Sequence, residues 1–335
     1  MTAPSTAWKE APAADEDARF ERYAQRFVAL QQRNRANGRV GRALHHKGHG
    51  VYEASLEIAG DLPEHARHGL FARPATYEAL VRFSNGAGKV QADKVADVRG
   101  IAIKVLGVEG DKVLSPGPTQ DFLAILSSAT PFRTADEFVA VVWGTRSAPL
   151  ALFRLVGSLG LRAFPLVKKL VAGLKQPPAS LATKRFFSAL PIQCGPYAAR
   201  FSLTPTDEAG DAVGAGPDFH AEAIAERLRR GPVAYDLSLQ FFVDEATTPI
   251  EDASVDWSTP YVRVGRLTIA QQDAASARGT LLAERGEKLA FDPWHALVAH
   301  RPLGGMMRAR KATYFASTKT REAAPEPATI AALLA

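Results

Sequence analysis

Segments in which apolar and polar residues alternate recur along the chain, and they decide which folds it can adopt. From Tyr235 to Val243 every second residue is apolar, and Tyr52 to Ile58 follows the same period of two residues. This period is typical of a β-strand with one buried face. Strands that follow one another with few helices between them favour an α+β fold built on an antiparallel barrel over a doubly wound parallel sheet. Further strands are expected at about 79–84, 100–106, 121–126, 199–203 and 261–269.

Helical spacing of apolar residues predicts a helix from Asp17 to about Arg35. A second helix is expected to begin at Pro217-Asp218, after a loop at 205–217, and to end at Gly231-Pro232. Both ends of the chain are rich in alanine, proline and charged residues, a composition typical of disorder. We therefore divide the chain into a disordered tail (1–17), a single domain (18–321) and a C-terminal tail (322–335).

The composition excludes several classes of protein. A chain of 335 residues with 46% hydrophobic residues can bury a large core. No run of about 18 apolar residues marks a membrane span, Met1 to Asp17 lacks the regions of a signal peptide, and a single Cys194 excludes an internal disulfide. These features predict a cytoplasmic protein. The formal charge of +6 is spread along the chain without a nucleic-acid-binding motif, so we expect no nucleic acid as a partner.

Arg310 and Tyr314 stand four residues apart near the end of the chain. On a helix this spacing puts the guanidinium and the phenol on one face, one turn apart. Tyrosine ordinarily titrates near pH ~10, so a fixed cation and usually a metal are needed to keep it ionised at neutral pH. The pair has the geometry that holding a phenolate requires.

A second group of motifs lies nearer the start of the chain. Residues 42–48 read RALHHKG, residues 81–84 read VRFS and residues 97–104 read DVRGIAIK. Far downstream, residues 291–293 read FDP and precede the Arg-x-x-x-Tyr pair. In their order and approximate spacing, over about residues 38–321, these motifs resemble those of the haem catalases.

The resemblance implies a closed antiparallel β-barrel with surrounding helices and haem b buried between barrel and helices. His45 takes the place of the distal catalytic histidine, and Ser84 that of the serine that fixes its tautomer. Tyr314 takes the place of the proximal iron ligand, with Arg310 as the partner of its phenolate. Guanidinium groups bind carboxylates bidentately. The arginines at the expected haem-propionate positions are Arg42, Arg82 and Arg321.

Two departures from the catalase pattern affect the expected activity. The segment from 120 to 132 contains no asparagine, and Leu126 or Ser127 stands at the approximate place of the distal asparagine of catalases. We include Ser127 among the candidate catalytic residues. His46 follows the distal histidine directly, and on an extended strand its side chain would point away from that of His45.

The segment at 149–175 is apolar, carries five basic residues and has no acidic residue. It is interpreted either as two packed helices broken at Pro165 or as a cationic amphipathic surface that contacts a membrane or guides an amphiphilic carboxylate. The second interpretation suits a fatty-acid hydroperoxide better than hydrogen peroxide.

Together these features predict a haem-dependent hydroperoxidase with weak catalase activity, acting on hydrogen peroxide or organic hydroperoxides with a small-molecule reductant. The alternative is a haem enzyme that rearranges or oxygenates fatty-acid hydroperoxides at the same site. A haem-binding protein without turnover is the third hypothesis, and His45 beside Ser84 argues against it, because retaining haem needs no acid–base group. We also expect a homo-oligomer, namely a dimer.

Overall fold

A computed structural model describes residues 3–36, 39–114, 117–144, 151–173, 178–207, 214 and 216–335. Every strand pairing in it is antiparallel. The strands are β1 (Arg35–Ala36), β2 (Arg39–Val40), β3 (Gly48–Ile58), β4 (Ala75–Asn85), β5 (Arg99–Leu106), β6 (Thr119–Ile125), β7 (Phe186–Phe187), β8 (Ile192–Cys194), β9 (Tyr197–Pro205), β10 (Val233–Phe241) and β11 (Tyr261–Ile269).

Eight of these strands form a closed barrel. They are hydrogen-bonded in the order β10-β11-β3-β4-β5-β6-β7-β9. The last strand, β9, pairs with the first, β10, from Ala199 opposite Phe241 to Pro205 opposite Tyr235, and this pairing closes the barrel. β8 pairs with β9 outside this ring, and β1 and β2 form a separate hairpin. The predicted α+β fold with a closed antiparallel barrel is confirmed.

The alternation seen in the sequence sorts side chains between the two faces of the barrel wall. Tyr235, Leu237 and Leu239 of β10 point inward and are completely buried. Asp236 lies between them on the outer face, where it pairs with Arg266 of β11 at 3.1 Å. β4 is buried on both faces in its second half because helices cover the outside of the barrel there.

The helices are α1 (Glu16–Arg33), α2 (Ala135–Gly144), α3 (Ala151–Leu159), α4 (Ala163–Gly173), α5 (Phe219–Arg230), α6 (Ala277–Lys288), α7 (Gly305–Thr320) and α8 (Ile330–Leu334). α1 and α5 correspond to the two helices predicted from the sequence. Phe20, Tyr23 and Phe27 of α1 pack with Ala309 of α7, which fixes α7 on the body of the protein. No helix in the described part of the chain is long and apolar enough to cross a bilayer. Parts of the expected loop at 205–217 and of the 149–175 segment lie outside the described residues.

The structure differs from the predicted disordered tail at 1–17. The Ser5 backbone N–H donates to the Phe242 carbonyl at 2.9 Å, and Trp8 Nε1 donates to the Pro196 carbonyl at 2.8 Å. Glu10 lies 2.7 Å from guanidinium nitrogens of both Arg301 and Arg308. These contacts attach the N-terminal segment to the domain. Local composition could not predict them, because the partner residues lie far away in the sequence.

The residues from 322 to 335 are likewise part of the folded body and not a free tail. The Glu326 carboxylate accepts hydrogen bonds from Lys104 and Thr119 of the barrel wall. Ile330 and Leu333 of α8 pack into a core cluster with Leu80 of β4. The charge-rich composition of this segment therefore reflects specific ion pairing.

Candidate functional site

His45 lies in the segment before β3, with its side chain at the end of the barrel. Its Nδ1 is 2.9 Å from Ser84 Oγ at the end of β4, as the resemblance to catalases implies. The His45 backbone N–H donates to the Gly86 carbonyl at 2.9 Å, and its carbonyl accepts from Arg82 Nη2 at 3.0 Å. The φ of His45 is +52°, a left-handed conformation that costs a non-glycine residue of order 1–3 kcal/mol and that clusters at active sites.

Gly100 of β5 makes room for the imidazole of His45. A Cβ added to Gly100 would stand 2.8 Å from His45 Cε1 and 3.1 Å from its Nδ1, closer than van der Waals contact allows. The glycine of the DVRGIAIK motif is therefore required by the ring that packs on it. This contact fixes one side of the imidazole, and the hydrogen bond to Ser84 fixes its edge.

Burial and then the positive charges of Arg82, Arg310 and Arg42 lower the pKa of His45 to about 3. The imidazole is therefore neutral at physiological pH and can accept a proton. Arg310 acts on this pKa from the opposite end of the chain, so the fold brings the two predicted halves of the site close together.

His46 follows His45 directly in the sequence, but its imidazole lies in different surroundings. Residues 42–47 do not form a strand, because β3 begins only at Gly48, so the extended geometry expected for the two histidines is wrong. The His46 ring instead packs against Gly41, where an added Cβ would stand 2.3 Å from His46 Cε1. The two imidazoles still have separate surroundings, and only His45 contacts Ser84.

Arg310 and Tyr314 lie one turn apart on α7. Arg310 Nη2 donates to Tyr314 Oη at 2.8 Å, and the guanidinium carbon is 5.0 Å from the centre of the phenol ring. The carbonyl of Met307, one turn before Arg310, accepts a hydrogen bond from Trp294 Nε1 at 2.9 Å. The spacing read from the sequence thus forms the expected contact, and Trp294 ties this part of α7 to the segment that follows α6.

Asp292, from the FDP motif, is a buried carboxyl close to Arg310. Burial raises its pKa to about 6, against the opposing effects of His295 and Arg310. The Asp292 backbone N–H donates to Asp121 Oδ2 at 2.8 Å, and Asp121 in turn accepts from Lys104 Nζ at 2.8 Å. Charged groups therefore run from the phenol end of the site into the barrel wall.

Asp121, His295 and Glu326 have the residue types of a metal site. Asp121 Oδ2 and Glu326 Oε2 lie 3.3 Å and 3.4 Å from His295 Nδ1. The ammonium of Lys104 is bonded to both carboxylates, so a cation supplied by the chain itself satisfies them. The cluster joins the C-terminal segment to the barrel.

Arg42, Arg82 and Arg321 converge on Glu287 at the end of α6. Arg82 Nε and Nη2 donate to the two Glu287 carboxylate oxygens at 2.7 and 2.9 Å, and Arg42 also pairs with this carboxylate. Arg321 Nη2 donates to the Leu289 carbonyl at 2.6 Å. Burial opposes ionisation of Glu287, but Arg82 and Arg42 outweigh it and lower its pKa to about 2. No role was assigned to Glu287 from the sequence.

The arginine cluster and the tyrosine fit a haem. Three guanidinium groups against one carboxylate leave a formal charge of +2, which matches the two propionates of a haem. Tyr314 has the phenol that serves as a proximal haem ligand in catalases, and its guanidinium partner is in place. The residues that would hold the group are therefore Tyr314 at the iron and Arg42, Arg82 and Arg321 at the propionates.

Comparison with known proteins agrees with this geometry. A catalase-related peroxidase of Mycolicibacterium paratuberculosis is 32% identical over 302 residues, which cover 84% of this chain and 88% of that protein. This chain belongs to the catalase-related peroxidases. The family confirms the predicted resemblance and the enzyme class, an oxidoreductase of the peroxidase and catalase type, and it implies a haem cofactor. No protein-family model matches the chain.

Solved catalases share the fold of this catalase-related peroxidase. A bacterial catalase superposes with a TM-score of 0.66 at 17% identity, a fungal catalase with 0.67 at 19% and catalase A of Saccharomyces cerevisiae with 0.67 at 16%. They cover 95%, 97% and 96% of this chain, which spans 63%, 66% and 68% of theirs. At these identities the likeness concerns the fold alone.

Leu126 and Ser127 follow β6 in this peroxidase and differ in exposure. Leu126 is half-buried and packs against the barrel core, and its backbone N–H donates to the Arg99 carbonyl at 3.2 Å. Ser127 lies in an exposed turn, where its hydroxyl donates to the Ala129 carbonyl at 2.7 Å. Of the two residues near the expected asparagine position, the apolar one is therefore the inner one.

Proposed function

We propose that this protein is a haem b hydroperoxidase, which reduces a peroxide with electrons from a small-molecule reductant and has weak catalase activity. The observation that carries the proposal is the proximity of two prepared pairs, His45 with Ser84 and Arg310 with Tyr314. Arg310 stands close enough to His45 to lower the pKa of its imidazole. Holding a cofactor without turnover would require the second pair but not the first.

The chain supplies the proton chemistry of this reaction. Haem, when bound, would supply the electrons that cleave the O–O bond. His45 takes the proton from one peroxide oxygen and returns it to the other, which leaves as water or an alcohol. Ser84 holds Nδ1, so Nε2 is the nitrogen that exchanges the proton. Per turnover the peroxide takes up two electrons and two protons, and the reductant provides both.

An organic hydroperoxide is the substrate that the distal side favours. Catalatic turnover depends on positioning a second hydrogen peroxide, and misplacement by about 1 Å costs on the order of 10²-fold in rate. Leu126, half-buried at the approximate place of an asparagine, offers an apolar surface and no hydrogen bond for that purpose. Each methylene that a bulkier peroxide buries contributes roughly 0.8 kcal/mol of binding. Ser127 is exposed and its hydroxyl donates to the Ala129 carbonyl, so we propose that it does not position the peroxide.

We further propose that the enzyme works in the cytoplasm as a homodimer. Burial raises the pKa of the single Cys194 thiol to about 12, so this residue is chemically inert and needs no oxidising compartment. Light scattering of the haem-loaded protein tests the dimer directly. A monomer at micromolar concentration would contradict it.

Two assays run in parallel on the haem-loaded protein test the function. An oxygen electrode measures catalatic turnover of hydrogen peroxide, and a chromogenic donor measures peroxidase turnover with hydrogen peroxide and cumene hydroperoxide. We expect slow oxygen release and faster donor oxidation, with the organic peroxide preferred. Oxygen release near the diffusional range of about 10⁷–10⁸ M⁻¹s⁻¹ would instead identify an efficient catalase. Consumption of a fatty-acid hydroperoxide without oxidation of any donor would identify an isomerase.

A further inference from the structure

The helices α3 and α4 are joined by a turn at Gly160–Arg162, so the chain is not broken at Pro165, as expected from the sequence, but before it, and Pro165 lies in the first turn of α4, where proline is tolerated. This helix pair is called here the hairpin, and its residues 160–165, the turn and the start of α4, are called the hairpin tip. The inner face of the hairpin is buried: Leu155, Ala163 and Leu166 pack with Phe132. On the outer face Leu161 is 83% exposed and Phe164 is 55% exposed. These two side chains are three residues apart, so they share one face of the helical turn. The tip thus presents two large apolar groups to its surroundings.

The tip lies in the most one-sided stretch of charge in the chain. Between Glu137 and Asp207 the sequence has nine lysines and arginines and no acidic residue. Arg162 and Lys168, beside the exposed apolar pair, are themselves exposed. Asp136 and Glu137 of α2 line a cleft together with Arg162 on one side of the tip. Two exposed apolar side chains with two exposed cations beside them are complementary to a surface that is apolar inside and negatively charged outside.

We propose that the hairpin tip docks the enzyme on an anionic lipid surface. Leu161 and Phe164 enter the boundary between headgroups and acyl chains, and Arg162 and Lys168 contact the anionic headgroups. As described, α3 has 9 residues and α4 has 11, fewer than the about 20 that a membrane-spanning helix needs, so the tip would lie in the boundary region of one leaflet.

A second copy of the chain fits this face less well. The subunits of a two-fold dimer present the same patch to each other. The tip would then bring Arg162 and Lys168 against their own copies, and residues 160–168 include no acidic side chain to pair with them. Like charges at such a contact repel, whereas anionic headgroups neutralise both sets.

The position of the hairpin indicates which substrate the docking would supply. This inference rests on the proposed function. The buried face of the hairpin contacts Phe132, and Met306 of α7 packs against the same cluster. The hairpin thus connects the lipid surface with the helix that carries Tyr314. A hydroperoxide formed on an unsaturated acyl chain, released as the fatty acid or presented at the surface, is the substrate class that this arrangement would bring to the site.

Vesicle sedimentation tests the docking on the haem-loaded protein. We expect binding to vesicles of phosphatidylcholine mixed with phosphatidylglycerol, weaker binding as salt is added, and little binding to phosphatidylcholine alone. The double variant Leu161→Asp, Phe164→Asp should bind roughly tenfold less or weaker still, because charges replace the two inserted groups. Val90→Asp is the matched control, since Val90 is 65% exposed on another part of the surface.

Each other outcome overturns the docking. Absent binding, equal binding to both vesicle types, or equal binding by the double variant and the wild type would show that the tip does not dock on anionic lipid. If the double variant instead changed the oligomeric state without vesicles, the tip would be a contact between subunits.

The docking proposal and the proposed enzyme function can be refuted independently of each other. Donor oxidation with water-soluble tert-butyl hydroperoxide should be the same in the wild type and the double variant, while turnover of a fatty-acid hydroperoxide held in anionic vesicles should fall with the binding. Vesicle binding without any peroxidase activity would refute the proposed function and leave the docking intact. Peroxidase activity without vesicle binding would do the reverse.

Discussion

Replacing Gly100 with alanine should displace the imidazole of His45, the proposed acid–base group, without touching Tyr314, the proposed haem ligand. The new Cβ would stand 2.8 Å from His45 Cε1, while ordinary contact begins at 3.4 Å, so the ring must recede by about 0.6 Å. The backbone at position 100 cannot move away from His45 instead, because the Ala124 carbonyl oxygen is already 3.4 Å from the same Cβ. His45 Nδ1 is 2.9 Å from Ser84 Oγ, and a recession of this size carries it to the limit of a hydrogen bond, near 3.5 Å.

This displacement sets the expected loss of rate. A shift of about 1 Å costs on the order of 10²-fold, so Gly100→Ala should slow the reaction with peroxide by roughly 10- to 10²-fold. Overpacking should also cost about 1–3 kcal/mol of stability. Stopped-flow absorbance after mixing with cumene hydroperoxide gives the rate constant, and the haem content of the purified protein shows whether the proximal side is intact.

Gly231→Ala is the matched control, because nothing lies within 4 Å of a Cβ at that position and its backbone is extended. It should leave both the rate and the haem content unchanged. A Gly100→Ala protein that binds haem fully and reacts at the wild-type rate would refute the role given to His45 and its packing. Loss of haem in this variant would show that the glycine supports the cofactor site itself.

Three further predictions test the remaining residues of the site and the acid sensitivity of the fold. His45→Ala should slow the reaction with peroxide by about 10² to 10⁴-fold with haem retained, and His46→Ala should do much less; the opposite order in stopped-flow traces would reverse the assignment. Tyr314→Phe should lose most of its haem, measured by absorbance, whereas Arg310→Ala should lose less because the phenol remains; unchanged haem content in the first variant would exclude Tyr314 as the ligand. Burial lowers the pKa of His220 to about 3, below its usual value near 6.5, so the unfolded chain binds one more proton between these values and stability falls as the pH drops through this window. Urea titrations of His220→Leu should therefore show a pH dependence shallower by about 1.4 kcal/mol per pH unit, and an unaltered slope would contradict the shift.

The sequence was sufficient to predict the parts of the site that depend on local spacing. An Arg and a Tyr four residues apart meet on any regular helix, and α7 supplies one. The strand alternation likewise sets which face of β10 is buried, and burial of one face on each strand favours barrel closure. The contact of His45 with Ser84 is long-range, and only the similarity of the motifs to those of catalases predicted it.

Features that depend on the whole fold could not be predicted in this way. In the sequence Glu287 is one of many charged residues, near the end of a helix. Its role as the counter-ion of Arg42 and Arg82 is visible only in the fold, because these arginines belong to other parts of the chain. The positive φ of His45 follows from the anchoring of its backbone, so alternation along the chain gave the wrong geometry for His46. Local composition predicted that both ends of the chain are disordered. The ion-pair partners that hold these ends lie far away in the sequence, so local composition could not show them.

The carboxylate of Glu287 also bears on the order in which the enzyme is assembled. Guanidinium groups gathered at one place without a counter-ion would repel one another and oppose folding of the bare chain. Because α6 contributes its own anion, Arg42 and Arg82 can come together before any cofactor is present. The charge left over is positive, and a positive field draws a dianion toward it from solution. Maturation can thus proceed in two stages, with a polypeptide that folds first and captures its haem afterwards.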